Sequence, residues 1–330
     1  MDLISFLPRA VMQGIPLLYG STGEILTEKS GNLNLGIPGI MYVGGICGVI
    51  GAFFYEQSTP AASMNGLLAV GIPMLCSLLG SLLMGLLYCL LTVTLRANQN
   101  VTGLAMTTFG VGIGNFFGGS LIKLTGSEVP SIALSATSAY FSKSLPFAAK
   151  CGWFGQIFLS YGFLAYLAIL LALLASYFLK HTRPGLHLRA VGESASTADA
   201  AGINVTKYKL IAFVTSASLA GAAGALFGLN YSNVTAVQFD FNTSILVLVF
   251  VVLGGLGNIW GSIVATVVLY VLPEALRQFS DYRMLVYAIV LILVMLATNN
   301  PTLKGFFSRL FHRERADAPH AAAVKGGGKQ

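Results

Sequence analysis

Apolar runs of about 20 residues recur along this chain with short polar breaks between them, and each is long enough to cross a hydrocarbon core about 30 Å thick as one helix. The good candidates are Leu67 to Leu95, Val101 to Ile122, Ile157 to Leu179 and Leu210 to Leu229. Val11 to Thr27 and Leu33 to Phe54 are interrupted by Gly, Pro and polar residues, and Leu285 to Ala297 is short but continuously apolar. The pattern predicts an all-α fold, a polytopic membrane helix bundle of about 8 to 10 transmembrane or re-entrant segments. Residues 1–303 form a single transmembrane domain in this reading, and 304–330 a polar, disordered tail.

One polar island interrupts the pattern most deeply. It is HTRPGLHLRAVGESASTADAAGI, from His181 to Ile203, within a loop of residues 180–209. Ser194 or Ser196 is placed to cap a short helix there, Ala195, Ala198, Ala200 and Ala201 favour it, Glu193 and Asp199 sit toward its N-terminal half, and Gly202 can end it. A small-faced helix of this kind either docks in a partner's groove or is a solvated loop.

Composition agrees with lipid as the solvent: 55% of residues are hydrophobic and 9% charged, with 38 glycines among 330 residues and a mean hydropathy of +0.76. The net charge of +7 is explained by topology, because Lys and Arg gather in cytoplasmic loops. Lys180, Arg183, Arg189, Lys207 and Lys209 fall in the loop, and Lys304, Arg309, Arg313, Arg315, Lys325 and Lys329 in the tail, so both segments are expected to face the cytoplasm. No basic surface interleaved with aromatics accompanies that charge, so nucleic acid is not an expected partner. The N-terminal MDLISFLPRA lacks the basic region and cleavage site of a secretory signal and is read as retained. Cys47, Cys76, Cys89 and Cys151 show neither metal-ligand spacing nor a disulfide framework.

With two cytoplasmic segments, three crossings after Lys209 would violate parity. The stretch Ser244 to Leu272 is the one expected to deviate, because the break GGLGNIWG, Gly254 to Gly261, divides it into pieces too short to cross. It is either a re-entrant pair of half-helices, with Gly254, Gly255, Gly257 and Asn258 near a solute pathway, or one bent helix. A second break, GNLNLGIPG from Gly31 to Gly39, carries Asn32 and Asn34 and is a candidate for the same device. Glu24 is the strongest ionisable residue at membrane depth: a pathway or gating group, or a carboxylate that snorkels or pairs with Lys29. Thr108 and Asn115 share a helical face with Gly112, flanked by Phe109 and Phe116, which suits either a ring-bearing polar solute or interhelical hydrogen bonds. Ser216, Ala220, Gly224 and Gly228 recur every four residues as a helix-packing face, within the subunit or across a dimer.

No H-E-x-x-H, G-x-S-x-G or G-x-x-x-x-G-K-[ST] is present, and the apolar spans hold no cluster of Asp, Cys or His. No catalytic residue, metal ligand or resident cofactor is expected, and there is no proton-relay chain. A transporter so equipped must borrow ATP hydrolysis from a partner.

At these residues the chain resembles the membrane subunits of ABC importers, in the permease family that serves nucleosides, simple sugars and branched-chain amino acids. ILTEKSGNLNLGIPGIM, LRANQNVTGLAMTTFG and RPGLHLRAVGE, within residues 1 to about 201, are similar to the nucleoside and simple-sugar branch. From about 202 to 310, GINVTKYKLIAF, FDFNTSILVLVFVVLGGLGNIWGSIV and LPEALRQFSDYRMLVYAIVLILVML resemble the branched-chain amino-acid branch, so the chain resembles a hybrid of the two. The resemblance implies that RAVGESASTADAAGI meets the ATPase, through Arg189, Gly192, Glu193, Ala198, Asp199 and Gly202. It also implies a bacterial inner-membrane location, a second homologous permease, usually a different one, and an extracytoplasmic solute-binding protein that sets most of the selectivity. ATP is then bound by the partner subunit. The implied function is import of a nucleoside or simple-sugar-like solute by alternating access, with branched-chain amino-acid import as the alternative. A gradient-driven carrier working without an ATPase is the alternative of another class.

Overall fold

The computed structural model describes residues 3–60, 63–125, 134–143, 155, 159–230, 289 and 292, and among them every regular element is helical. The elements are α1 (Leu3–Lys29), α2 (Ile37–Ser58), α3 (Gly66–Cys89, continued by a π turn Leu90–Thr94), α4 (Gln99–Thr125), α5 (Ser135–Phe141), α6 (Phe163–His181), α7 (Arg183–Glu193), α8 (Ala195–Ala200) and α9 (Val205–Ala225, continued by a π turn Leu226–Asn230). All belong to one compact unit, Met1–Ser280; in the second unit, Asp281–Gln330, residues 289 and 292 are described, as helix. Four of these helical stretches are long and apolar enough to cross a membrane: Ile37–Ser58, Gly66–Thr94, Phe163–His181 and Val205–Leu229.

Caps set the boundaries. Asn65 and Asn204 accept hydrogen bonds from the amides of Leu67 and Lys207, at 3.0 and 2.9 Å, and start α3 and α9. Helix α9 therefore begins five residues before the apolar run does, and Lys207 and Lys209 lie on the helix rather than in the loop. The loop contracts from 180–209 to 182–204. In α2 the expected start at Leu33 moves to Ile37, because residues 33–36 turn and Pro38 sits in the first helical turn, where its missing N–H costs nothing.

Helix α1 ends in a Schellman turn. Gly31, at φ +82°, is its left-handed residue, with Asn32 N donating to the Thr27 carbonyl (3.1 Å) and Gly31 N to the Glu28 carbonyl (2.9 Å). Gly202, also at φ +82°, closes α8 in the same way, with Ile203 N on the Ala198 carbonyl and Gly202 N on the Asp199 carbonyl, both 2.9 Å.

Helix α2 is at the centre. It is apolar all round and 83% buried over its most hydrophobic window, as expected of a helix with neighbours on every side. Lipid tails are as apolar as leucine, so burial alone does not bind such helices together; close backbone approach does. A Cβ added to Gly39 would lie 2.5 Å from the Met106 carbonyl oxygen of α4, and one added to Gly45 would lie 2.9 Å from the Gly224 carbonyl oxygen of α9. Against α3 the packing is reciprocal, Cys47 seating on Gly80 and Cys76 on Gly51. Interhelical hydrogen bonds add to this: Ser77 Oγ to the Gly221 carbonyl (2.6 Å), Tyr19 OH to the Leu164 carbonyl (2.8 Å) and Tyr42 OH to Asn115 Oδ1 (2.7 Å). Each is worth about 0.6–2 kcal/mol in a membrane. Helix α3, by contrast, turns Leu75, Leu79, Leu83 and Leu90 outward on one exposed face.

The segments 30–36, 95–98 and 182–204 lie at one end of the bundle, called the loop end below. Leu33 N donates to Gln99 Oε1 (2.9 Å), the Tyr88 hydroxyl lies 2.9 and 3.0 Å from the Leu33 and Gln99 carbonyls, and Gly31 abuts Gly192. Helices α1, α3 and α6 thus run toward the loop end, and α2, α4 and α9 run away from it.

Candidate functional site

The loop between α6 and α9 folds as two helices with a bend at Ser194, not as one short helix. Thr182 caps α7 by accepting from Gly185 N (3.1 Å), and Ser194 caps α8 by accepting from Thr197 N (3.4 Å). Glu193 is consequently the last residue of α7 and Asp199 lies in the C-terminal half of α8, which corrects their expected N-terminal placement. Ser196 is exposed within α8 and caps nothing.

Helix α7 is wedged in place. Gly185, Leu188 and Val191 form its buried face; Gly185 presses on the Phe178 carbonyl of α6; and His187 Nδ1 shares a 2.7 Å hydrogen bond with the Tyr208 hydroxyl of α9. The expected docking residues therefore divide by environment. Glu193, Asp199 and Gly202 are exposed, Arg189 is half-buried with its Nε unpartnered, Ala198 is buried, and Gly192 faces inward onto the Lys29 carbonyl. Beside α8, a polar groove of about 680 Å³ separates residues 195–209 from the end of α3. Arg96, Lys209, Asp199, Ser196 and Asn204 line it, and Arg96 holds a left-handed backbone (φ +54°) unusual for a residue with a Cβ.

Three candidate pathway residues converge behind this surface. Glu24 is buried; its Oε1 accepts from Asn34 N (2.9 Å) and its Oε2 from the Thr27 hydroxyl (3.1 Å). It is thus tied to the turn that follows α1. Asn34 Oδ1 accepts from Gly36 N (3.0 Å), closing the turn before α2, while its Nδ2 has no partner among the described residues. Asn32 is 1% exposed, and neither its Nδ2 nor its Oδ1 has a partner among the described residues. Burying such a group without a hydrogen bond costs about 1–3 kcal/mol.

Thr108 and Asn115 stand apart from this cluster. They lie on the face of α4 that is exposed, together with Phe109, Gly112 and Phe116, while Met106, Thr107 and Gly110 face α2 and Gly103 faces Leu35 in the turn before it. Thr108 Oγ1 donates to the Leu104 carbonyl of its own helix (3.1 Å), and Asn115 accepts from Tyr42. On α9, Ser216, Ala220, Gly224 and Gly228 are all buried; Ser216 is where a Cβ on Gly23 of α1 would land, and Gly224 lies against Met41 and Gly45 of α2. Gly254, Gly255, Gly257 and Asn258 lie outside the described residues, as do Cys151, Leu285 to Ala297 with the exception of 289 and 292, and the tail from 304.

Sequence reasoning missed the Gly31–Gly192 apposition and the His187–Tyr208 tie. A glycine two residues after a helix ending in Lys is a C-terminal signal that could have flagged Gly31. No local signal gives its partner 161 positions away.

Comparison with known proteins places this geometry in context. Residues 7–295 match the family described as branched-chain amino acid transport system / permease component. The guanosine ABC transporter permease protein NupQ of Bacillus subtilis is 28% identical over 248 residues, 74% of this chain and 73% of NupQ. The nucleoside ABC transporter permease protein NupC of Lactococcus lactis is 32% identical over 213 residues, 64% of this chain and 63% of NupC. The high-affinity branched-chain amino acid permease protein LivM of Salmonella typhimurium is 35% identical over 137 residues, 41% of this chain and 32% of LivM. The chain spans 60% of the length of another relative, TsgC13 of Haloferax volcanii, an ABC transporter permease by name. No solved structure matches it. Both branches legible in the sequence are represented, and the match over most of the chain establishes that this multi-pass membrane protein belongs to the permease family of ABC transporters described as branched-chain amino acid transport system permease components.

Proposed function

We propose that this chain is the membrane-spanning subunit of an ATP-driven importer that moves a nucleoside or simple-sugar-like solute into the cell by alternating access. The loop end faces the cytoplasm, and α7–α8 is the surface on which a separate ATPase docks. The observation that carries this reading is the division within α7–α8: one face is anchored on α1, α6 and α9, and the other presents Glu193, Asp199 and Gly202 outward beside a polar groove. An anchored projection of that kind passes force in either direction. Two permease subunits, one of them this chain, enclose the pathway, and an extracytoplasmic binding protein delivers the solute. The chain binds no cofactor of its own.

A nucleoside is favoured because NupQ and NupC align over a larger share of the chain than LivM does. A branched-chain amino acid is the second reading, favoured by the higher identity of the shorter LivM match. The test is affinity capture of the tagged full chain from gently solubilised membranes, followed by mass spectrometry and by uptake in proteoliposomes of tritiated guanosine and tritiated leucine. Recovery of a P-loop ATPase and ATP-dependent guanosine uptake are expected. Leucine uptake alone would select the second reading, and uptake that persists without an ATPase and collapses with the ion gradient would replace both with a self-sufficient carrier.

A further inference from the structure

The contact between the last turn of α7 and the turn after α1 is between two backbones rather than two side chains. A Cβ on Gly192, in the last turn of α7, would collide with the Lys29 carbonyl oxygen and lie 3.0 Å from Gly31 N. A Cβ on Gly31 would lie 3.2 Å from Gly192 Cα and 3.3 Å from its carbonyl oxygen, and Gly31 needs its left-handed φ in addition. The last turn of α7 therefore rests on the capping turn of α1 with no side chain between them to yield.

What lies on each side gives the contact its meaning. On one side α7 leads, through Ser194, into the exposed residues of α8. On the other, the chain from Gly31 to Gly36 reaches three helices in six residues: Asn34 N binds Glu24 of α1, the Leu33 carbonyl meets Tyr88 of α3, and Leu33 N and the Leu35 carbonyl meet Gln99 and Thr107 of α4. Within that stretch sits Asn32, buried with both side-chain polar atoms unpartnered among the described residues. A buried amide with no partner is an unmet hydrogen-bonding demand, which any rearrangement that supplies partners relieves.

We propose that Gly31 and Gly192 form the joint through which displacement of α7–α8 reaches the turn at residues 31–36 and the Glu24 carboxylate, with Asn32 finding its partners in the displaced state. Gly192 is then a positioning residue of transport and not an ATPase contact. This inference rests on the proposed importer function, since it needs an ATPase to displace the loop.

The test uses the full chain assembled with its captured ATPase, followed by hydrogen–deuterium exchange with and without ATP and vanadate. In the wild type, exchange in residues 194–203 and in residues 31–36 is expected to change together, by tenfold or more. Gly192→Ala and Gly31→Ala are expected to keep assembly and the response at 194–203 while reducing the response at 31–36 to within about twofold of none. Gly71→Ala, whose Cβ would meet nothing within 4 Å, is expected to leave both responses intact. An unresponsive 31–36 segment in a wild-type assembly that responds at 194–203, or an undiminished 31–36 response in Gly192→Ala, would overturn the joint alone. Absence of any co-purifying ATPase would overturn the importer reading and the joint with it.

Discussion

Glu24 is held by hydrogen bonds alone, from the Asn34 amide and the Thr27 hydroxyl, with no cation among its described partners. Glutamine keeps an oxygen for Asn34 N and offers a donor that the Thr27 oxygen can accept, so Glu24→Gln is expected to leave the thermal midpoint of the detergent-solubilised chain unchanged within a degree or two. Glu24→Leu strands the buried Asn34 amide and should cost about 1–3 kcal/mol, read as a lowered midpoint in a thermal-shift assay. Equal losses from both variants would mean that the charge itself holds the site. The burial of Glu24 was legible in the sequence as a carboxylate in an apolar run. Its partner was not, because a hydrogen bond from the backbone of Asn34 has no side-chain signature.

Among the elements, α8 has a single designed start. Ser194 Oγ accepts from Thr197 N, whereas Ser196 is exposed and caps nothing. Ser194→Ala is expected to speed amide exchange across residues 196–200 by roughly fivefold, corresponding to a lost cap of about 1 kcal/mol, and Ser196→Ala to leave it unchanged. Comparable effects would place the cap elsewhere. The packed glycines make the opposite prediction: Gly224→Val drives side-chain atoms into the Met41 carbonyl and Gly45 amide and should sharply lower the yield of folded protein. Fluorescence-detected size exclusion reads this directly, and wild-type yield would deny the close crossing of α2 and α9. Caps and small-residue spacing are local, and the sequence showed both. The helical state of Lys207 and Lys209 was hidden because charge suggests a loop, whereas Asn204 starts the helix and the long stems let the ammonium groups reach out of it.

For the whole molecule, the exposed face of α4 is where packing and transport make different predictions. If Asn115 serves only to hold Tyr42, removing either partner has the same effect; if the face lines the pathway, Asn115 matters beyond that bond. Thr108→Leu and Asn115→Leu are therefore expected to lower solute uptake by tenfold or more with assembly intact, while Tyr42→Phe lowers it less than threefold. Matching losses in Asn115→Leu and Tyr42→Phe, measured by proteoliposome uptake, would return the face to a packing role. The periodicity of residues 108, 112 and 115 was readable as a shared face, but what stands opposite it depends on contacts no single helix encodes. The glycine crossings of α2 with α4 and α9 carry one more implication. Where helices touch through bare backbone there is no flexible side chain at the crossing to absorb an added group, so a single methyl at Gly39 or Gly224 has to push a whole helix aside.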